Sequence, residues 1–280
     1  MLPINFHKTF LPERRLLAAL LEYAALGGEG SYQEISQATS IPMGRSTGKV
    51  PAILDYARGM NLVTLGRSSG SGKKKPRLTG FGQAVYTGDR HLGRPLVQWL
   101  AHMHLCLPRG GAAAWHLVFV SGRASLGSRF SAAQVEQYLV EHFGPGRSRT
   151  GPLLRTYLED AALGRAGVLS QRQGEVVRCR APLDVQCALP YAAFVLELWE
   201  RFFSGRGQIT VDELVAETGW PDICLWSCQE LEQALEWMEQ SGLLALDRQR
   251  RPWILEKRAT ATEAWQELGR WLEEAAPAGG

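Results

Sequence analysis

The stretch Asn61-Leu-Val-Thr-Leu65, followed by Gly66-Arg-Ser-Ser-Gly-Ser-Gly-Lys-Lys-Lys-Pro76 and Arg77-Leu-Thr79, decides how the chain reads. A short β-prone run, a Gly/Ser-rich loop and a second short run make a strand–loop–strand hairpin. Working back from it, Pro12 to Leu26 repeats leucines at helical spacing, and the Gly27-Gly28-Glu29-Gly30 run stops that helix. Ser31 with Glu34 three residues on forms a capping box for a helix through Ala38. A third helix ends near Arg58-Gly59-Met60, and Pro51 is tolerable only in its first turn. Three helices followed by a hairpin is the winged-helix order. Gly80 to Val85 then resumes a helix that its two glycines weaken.

The same phrase recurs along the chain. Met-Asn-Leu-Val (60–63), Ala-Gly-Val-Leu (166–169) and Ser-Gly-Leu-Leu (241–244) each end a helix and open a basic hairpin. Helices are expected at Ser131–Phe143 and Thr150–Leu163 before the second hairpin. Before the third they are expected at Tyr191–Phe203, Val211–Thr218 (capped by Thr210) and Trp226–Gln240. Leu92–His104 and Ala112–Val120 read as a packed helical insert, and Ala261–Glu274 as a last helix. The expected fold is mainly α: tandem winged-helix-like units, three-helix cores with small β-hairpin wings, plus a helical insert. The divisions fall at residues 1–89, 90–185 and 186–280.

Charge follows these divisions. Net charge over the chain is only +3, but the segments carry +5, +6 and −8 in order. Two basic segments suit a polyanion, and the acidic one suits another task. Seven of the nine tryptophans lie in that last segment, so protein partners are expected there, at Trp220, Trp226 and Trp253. No apolar run reaches membrane-spanning length, no signal-peptide pattern opens the chain, and five cysteines have no framework spacing. A cytoplasmic protein with no membrane association is the expectation.

The first loop, Arg67 to Arg77, holds five cations (Arg67, Lys73, Lys74, Lys75, Arg77) and no acid, where charge can follow a phosphate backbone. The third helix offers Arg45, Ser46, Thr47, Lys49 and Arg58 to a groove, while Val50, Ile53, Leu54 and Ala57 form its core face. Arg147, Arg149, Arg155, Arg172, Arg178 and Arg180 are the matching cations of the second segment. DNA is favoured over RNA as the nucleic acid. Gly44 to Val50 and Gly66 to Lys74 imitate phosphate-binding loops but fail on spacing and on the Ser/Thr that holds magnesium.

His102-Met-His104-Leu-Cys106 looks like a metal cluster, yet residues two apart on a helix point about 200° apart, so the two histidines cannot share an ion. Cys224 and Cys228 have no second pair nearby and read as core. No metal or cofactor is expected, and no residue stands out as catalytic.

Asn5-Phe6-His7-Lys8-Thr9-Phe10, the winged-helix-like block, the phrase Leu78-Thr79-Gly80-Phe81-Gly82 and the helix with Trp99-Leu100-Ala101-His102 appear in one order. Together they resemble the prokaryotic family catalogued as domain of unknown function 4007. Phe6 and Lys8 stand where that family usually has a glycine and an acidic residue, and Gly44-Arg45-Ser46 matches its third-helix phrase loosely. The family lies near DNA sulfur-modification, sulfate-activation-reductase-like and anti-phage genes. The resemblance therefore implies a nucleic-acid-binding role in a defence or mobile-element system. A structural or adaptor subunit of such a complex, or a regulator of its operon, are the alternatives. Protein partners encoded nearby are implied with it.

Overall fold

The computed structural model describes residues 1–43, 48–146 and 150–275. It is mainly helical, with three small antiparallel sheets among the described residues. The first segment runs α1 (Arg14–Ala25), α2 (Tyr32–Thr39), α3 (Val50–Gly59), β1 (Val63–Leu65), β2 (Pro76–Leu78) and α4 (Gly80–Gly88). The second contains α5 (Pro95–Cys106), α6 (Ala113–His116), which continues into a π-helical turn Leu117–Ser121, and α7 (Arg123–Leu126). Then come β3 (Arg129–Phe130), α8 (Ala132–Phe143), α9 (Thr150–Leu158), β4 (Leu169–Arg172) and β5 (Glu175–Arg178). The third is α10 (Ala188–Phe202), β6 (Gln208–Thr210), α11 (Val211–Thr218), α12 (Trp220–Cys224), α13 (Cys228–Gln240), β7 (Leu244–Asp247), β8 (Ile254–Lys257) and α14 (Ala261–Glu274).

Several local signals act as expected. Ser31 accepts from the Glu34 amide while Glu34 caps the Ser31 amide in return. Pro51 sits in the first turn of α3, where its missing N–H costs nothing. The helix expected to run to Leu163 stops at Leu158, and the one expected from Trp226 begins at Cys228.

One strand per segment escaped the sequence reading. Gly30 bridges antiparallel to Lys74, β3 pairs with β5, and β6 pairs with β8. In each segment a short extended piece, after α1, α7 or α10, therefore joins the second arm of the hairpin. The sheet orders β3-β5-β4 and β6-β8-β7 are the same arrangement. Two or three residues are too few to show strand periodicity. The residue two positions before the first strand of each hairpin is left-handed in all three: Asn61 (φ 57°), Gly167 (φ 66°) and Gly242 (φ 75°). Asparagine tolerates this conformation and glycine adopts it freely, which is why the recurring phrase was readable.

The buried apolar side chains form one connected cluster from Leu2 to Leu272. The helices that follow the first and third hairpins lie against each other. A methyl group placed on Gly80 would sit 2.8 Å from the Trp265 ring, and one on Gly88 2.3 Å from Leu272 Cβ. Positions increase together along both, so α4 and α14 run parallel. Gly80, one of the two glycines that weaken α4 by propensity, and Gly88 at its end allow this close approach.

Candidate nucleic-acid interface

The first hairpin is built on three backbone pairs, Val63 with Leu78, Thr64 with Arg77, and Leu65 with Pro76. Gly66 N–H donates to Lys75 O at 2.9 Å, and Gly30 and Lys74 exchange both backbone hydrogen bonds at 3.0 and 2.7 Å. The loop contains no acid, but the preceding turn supplies one. Glu29 accepts from the Ser69 amide and pairs with Lys75 Nζ at 3.1 Å. The Ser69 hydrogen bond, reinforced by Lys75, draws the Glu29 carboxyl down to about 2. Lys74 lies over Tyr32, 5.8 Å from the ring centroid. Arg67 and Lys73 are exposed and have no ion-pair partner among the described residues. Arg77 is exposed and crosses Gly66. The five cations therefore divide: Lys75 is neutralised, Lys74 is half-buried on a ring, and Arg67, Lys73 and Arg77 face solvent.

The third helix buries Val50, Ile53, Leu54 and Ala57, the face expected to form its core. Nearly all of α3 is buried, with Tyr56 edge-on to Phe6 and Trp115, and only Asp55 and Arg58 reach the surface. Arg58 pairs with Asp55 at 2.9 Å. Lys49 is tied to Glu13 and stacks on Phe10. Packing of α3 against α1, α2 and α5 took the surface that its polar residues seemed to offer. Arg45, Ser46 and Thr47 lie outside the described residues, as do Arg147 and Arg149.

In the second segment Arg172 stands exposed at the hairpin tip, beside the left-handed Gln173-Gly174 turn. Arg155 pairs with Glu159 and Arg180 with Glu230 at 2.6 Å. Arg178 does not face solvent. It is only 4% exposed, and its Nη2 donates to Phe119 O (2.8 Å) and Asp222 O (3.2 Å). Its guanidinium lies 5.1 Å from the Phe119 ring, and burial lowers it to about 10. Alternation along β5 places Arg178 on the inward face with Val176, which makes it a structural arginine.

The tryptophans proposed for partner contact are also inside. Trp220 and Trp226 pack against each other and against Tyr191. Trp253 is 8% exposed and lies between Arg248 and Arg251, whose guanidinium carbons are 5.5 and 4.7 Å from its ring. Enrichment in tryptophan marked a core here rather than a docking face. Two of the three arginines in this third hairpin's loop are held by α13, Arg248 by Glu239 at 2.7 Å and Arg251 by Glu232, while Arg250 is exposed.

The histidines of α5 point apart, as helical spacing requires. His102 Nδ1 is 2.7 Å from Tyr157 Oη, which also accepts from Trp115 Nε1 at 2.8 Å. His104 faces Phe81, Phe194 and Trp265, with both ring nitrogens lacking a partner. Burial holds both imidazoles well below their usual range, so they are neutral. Cys224 is buried, whereas Cys228, read as core, is exposed. Sequence reasoning also missed Glu197, a buried carboxylate that accepts from Asn61 Nδ2, Trp265 Nε1 and Arg201 Nη2. Arg201 stands four residues on in the same helix, a spacing the sequence does show, but Asn61 and Trp265 come from distant parts of the chain and no spacing signals their convergence.

No family model matches the chain, and no curated protein matches it. Two solved structures do. One is described as magnesium ion-bound SspB, with 18% identity, coverage of 96% of this chain and 87% of that one, and a TM-score of 0.72. The second, described as SspB, has the same identity and coverage and a TM-score of 0.71. Among the described residues no three His, Cys, Asp or Glu side chains gather into a metal site. No helix among them is long and apolar enough to cross a membrane. At this identity the likeness is one of fold, and it extends over almost the whole of the chain.

Proposed function

We propose that the chain is a tandem winged-helix protein that grips double-stranded DNA through its first hairpin, in a DNA sulfur-modification or defence system. Each unit would comprise a helix, a short strand, two helices and a hairpin, with the units spanning residues 1–89, 90–185 and 186–280. The observation that carries this reading is the hairpin tip. Arg67 stands exposed with no ion-pair partner among the described residues, and Lys73 stands exposed with only the Glu34 charge acting on it, on a loop fixed by the Glu29–Lys75 pair and the Gly30–Lys74 bridge. A rigid loop with unpaired cations can neutralise phosphates while losing little ordering entropy. With Lys49 held by Glu13 and Arg58 by Asp55, the described cations favour backbone gripping over base reading, so the affinity should be largely independent of sequence. The defence context is supported by the family resemblance and by the SspB-like fold.

A salt titration of binding to duplex DNA, single-stranded DNA and RNA tests this. Affinity should fall steeply with salt, and duplex DNA should bind best; equal or absent binding to the three would refute it. Repeating it on supercoiled plasmid with and without magnesium reads strand breakage separately from binding. A second reading, an adaptor, is favoured by one observation: two of the three wing arginines of the third segment, Arg248 and Arg251, are already paired to α13 glutamates. That segment is suited to a protein rather than to phosphate.

A further inference from the structure

The third hairpin closes a groove of about 680 Å³ against α11, α12 and α13. Its walls are Val211, Val215 and Ala216 of α11, Pro221, Leu231 of α13, and Trp253. In the first segment the hairpin instead lays Lys74 over Tyr32 of α2. The rim charges of the third groove largely cancel. Arg123 is paired with Asp222, and Arg251 with Glu232. The exception is Asp212, an exposed carboxylate in the first turn of α11 with no ion-pair partner among the described residues.

We propose that this groove docks a segment of a partner protein that presents apolar side chains next to a lysine or arginine. The apolar walls supply the burial, and Asp212 selects the sign of the flanking charge. Phosphate is disfavoured, because the unpaired charge at the rim is negative and the whole segment carries −8. A volume in this range matches sites that enclose a compact ligand or several side chains. Docking at this groove is independent of whether the first hairpin binds DNA.

The exposed thiol of Cys228 lines the groove and gives a local handle. The probe is a short fluorescein-labelled peptide of leucine and alanine with two lysines, compared by anisotropy with the same peptide carrying glutamates instead. The lysine peptide should bind at least ~10-fold more tightly, and Asp212→Lys should erase or reverse that preference. N-ethylmaleimide should weaken binding to the native chain and leave Cys228→Ser unaffected, while Lys73→Ala should leave peptide binding unchanged. A preference that survives Asp212→Lys, or binding indifferent to modification of Cys228, would overturn the proposal. These readouts use a folded protein with a surface change only, and they move separately from DNA affinity.

Discussion

Trp265 Nε1 donates to the Glu197 carboxylate at 2.7 Å, joining the helix after the third hairpin to α10. Asn61, the left-handed residue before the first hairpin, donates to the same carboxylate, and Arg201 completes it at 2.6 Å. Glu197 thus ties the first and third segments together. Glu197→Ala would leave three donors without their acceptor in a largely dry site, at a cost of about 3 kcal/mol. Denaturant unfolding should show that loss, and Glu197→Gln should recover part of it by keeping an acceptor. Burial, opposed by Arg201, raises the Glu197 pKa. A carboxyl raised on folding contributes stability that is full below its unfolded pKa and is lost as pH rises through the folded one. The stability difference between native and Glu197→Gln protein should therefore shift in favour of Gln as pH rises from the acid side. A pH-independent difference would show that the carboxyl titrates as it does when unfolded.

Gly82 offers a separate test of packing. A methyl group there would lie 1.8 Å from the Leu62 carbonyl oxygen, which is backbone and cannot swing away. On helix propensity alone, Gly82→Ala should stabilise α4 by about 1 kcal/mol. The collision reverses the sign, and we expect a net loss of about 2 kcal/mol or more, in the range of overpacked cores. An increase in melting temperature would show that the hairpin and α4 can separate without penalty.

The first hairpin should give a graded response to alanine. Lys73→Ala and Arg67→Ala should each flatten the salt dependence of DNA binding by up to ~0.9 log units per lost phosphate contact. Lys75→Ala should change the slope least, because Glu29 already neutralises it. Glu29→Ala releases Lys75 and the Ser69 amide together, so amide exchange at Ser69 should accelerate. Because the Glu29 carboxyl is drawn down to about 2, its hold on the loop is complete above the usual carboxylate range and is lost as pH falls toward that value. Protection of the Ser69 amide should follow the same course. Equal slopes for Lys73→Ala and Lys75→Ala would remove the distinction drawn from the ion pair.

Much of this fold was legible because its signals are local. The Ser31 and Thr210 capping boxes, the Pro51 first turn and the left-handed Asn61, Gly167 and Gly242 each depend on a few adjacent residues. The short strands before the second helices were not legible, because they exist only through pairing with a distant hairpin. The site was harder for the same reason. Lys75 reads as a free cation until Glu29, supplied by the turn after α1, is seen beside it. Trp220 and Trp226 read as partner contacts until the Tyr191 ring of α10 is seen packed against both. Charge counts report what a segment carries, and only packing decides which charges face water.

Arg178 and Arg172 separate those two cases within one hairpin. They belong to the paired strands β5 and β4, yet Arg172 is exposed at the tip and Arg178 is buried beneath it. Arg178→Ala removes a donor to the Phe119 and Asp222 carbonyls and the stack on Phe119, and leaves a cavity. A loss of about 3 kcal/mol is expected from those unpaired acceptors and the lost packing. The DNA salt slope should not change, since the guanidinium does not reach solvent. Arg172→Ala should do the reverse, altering stability by less than about 0.5 kcal/mol as surface substitutions do. If the second hairpin shares the phosphate contact, the slope should then fall with Arg172. Thermal unfolding and a salt titration on the two variants decide the matter: a slope that responds to Arg178 rather than to Arg172 would mean that the hairpin opens when it meets DNA.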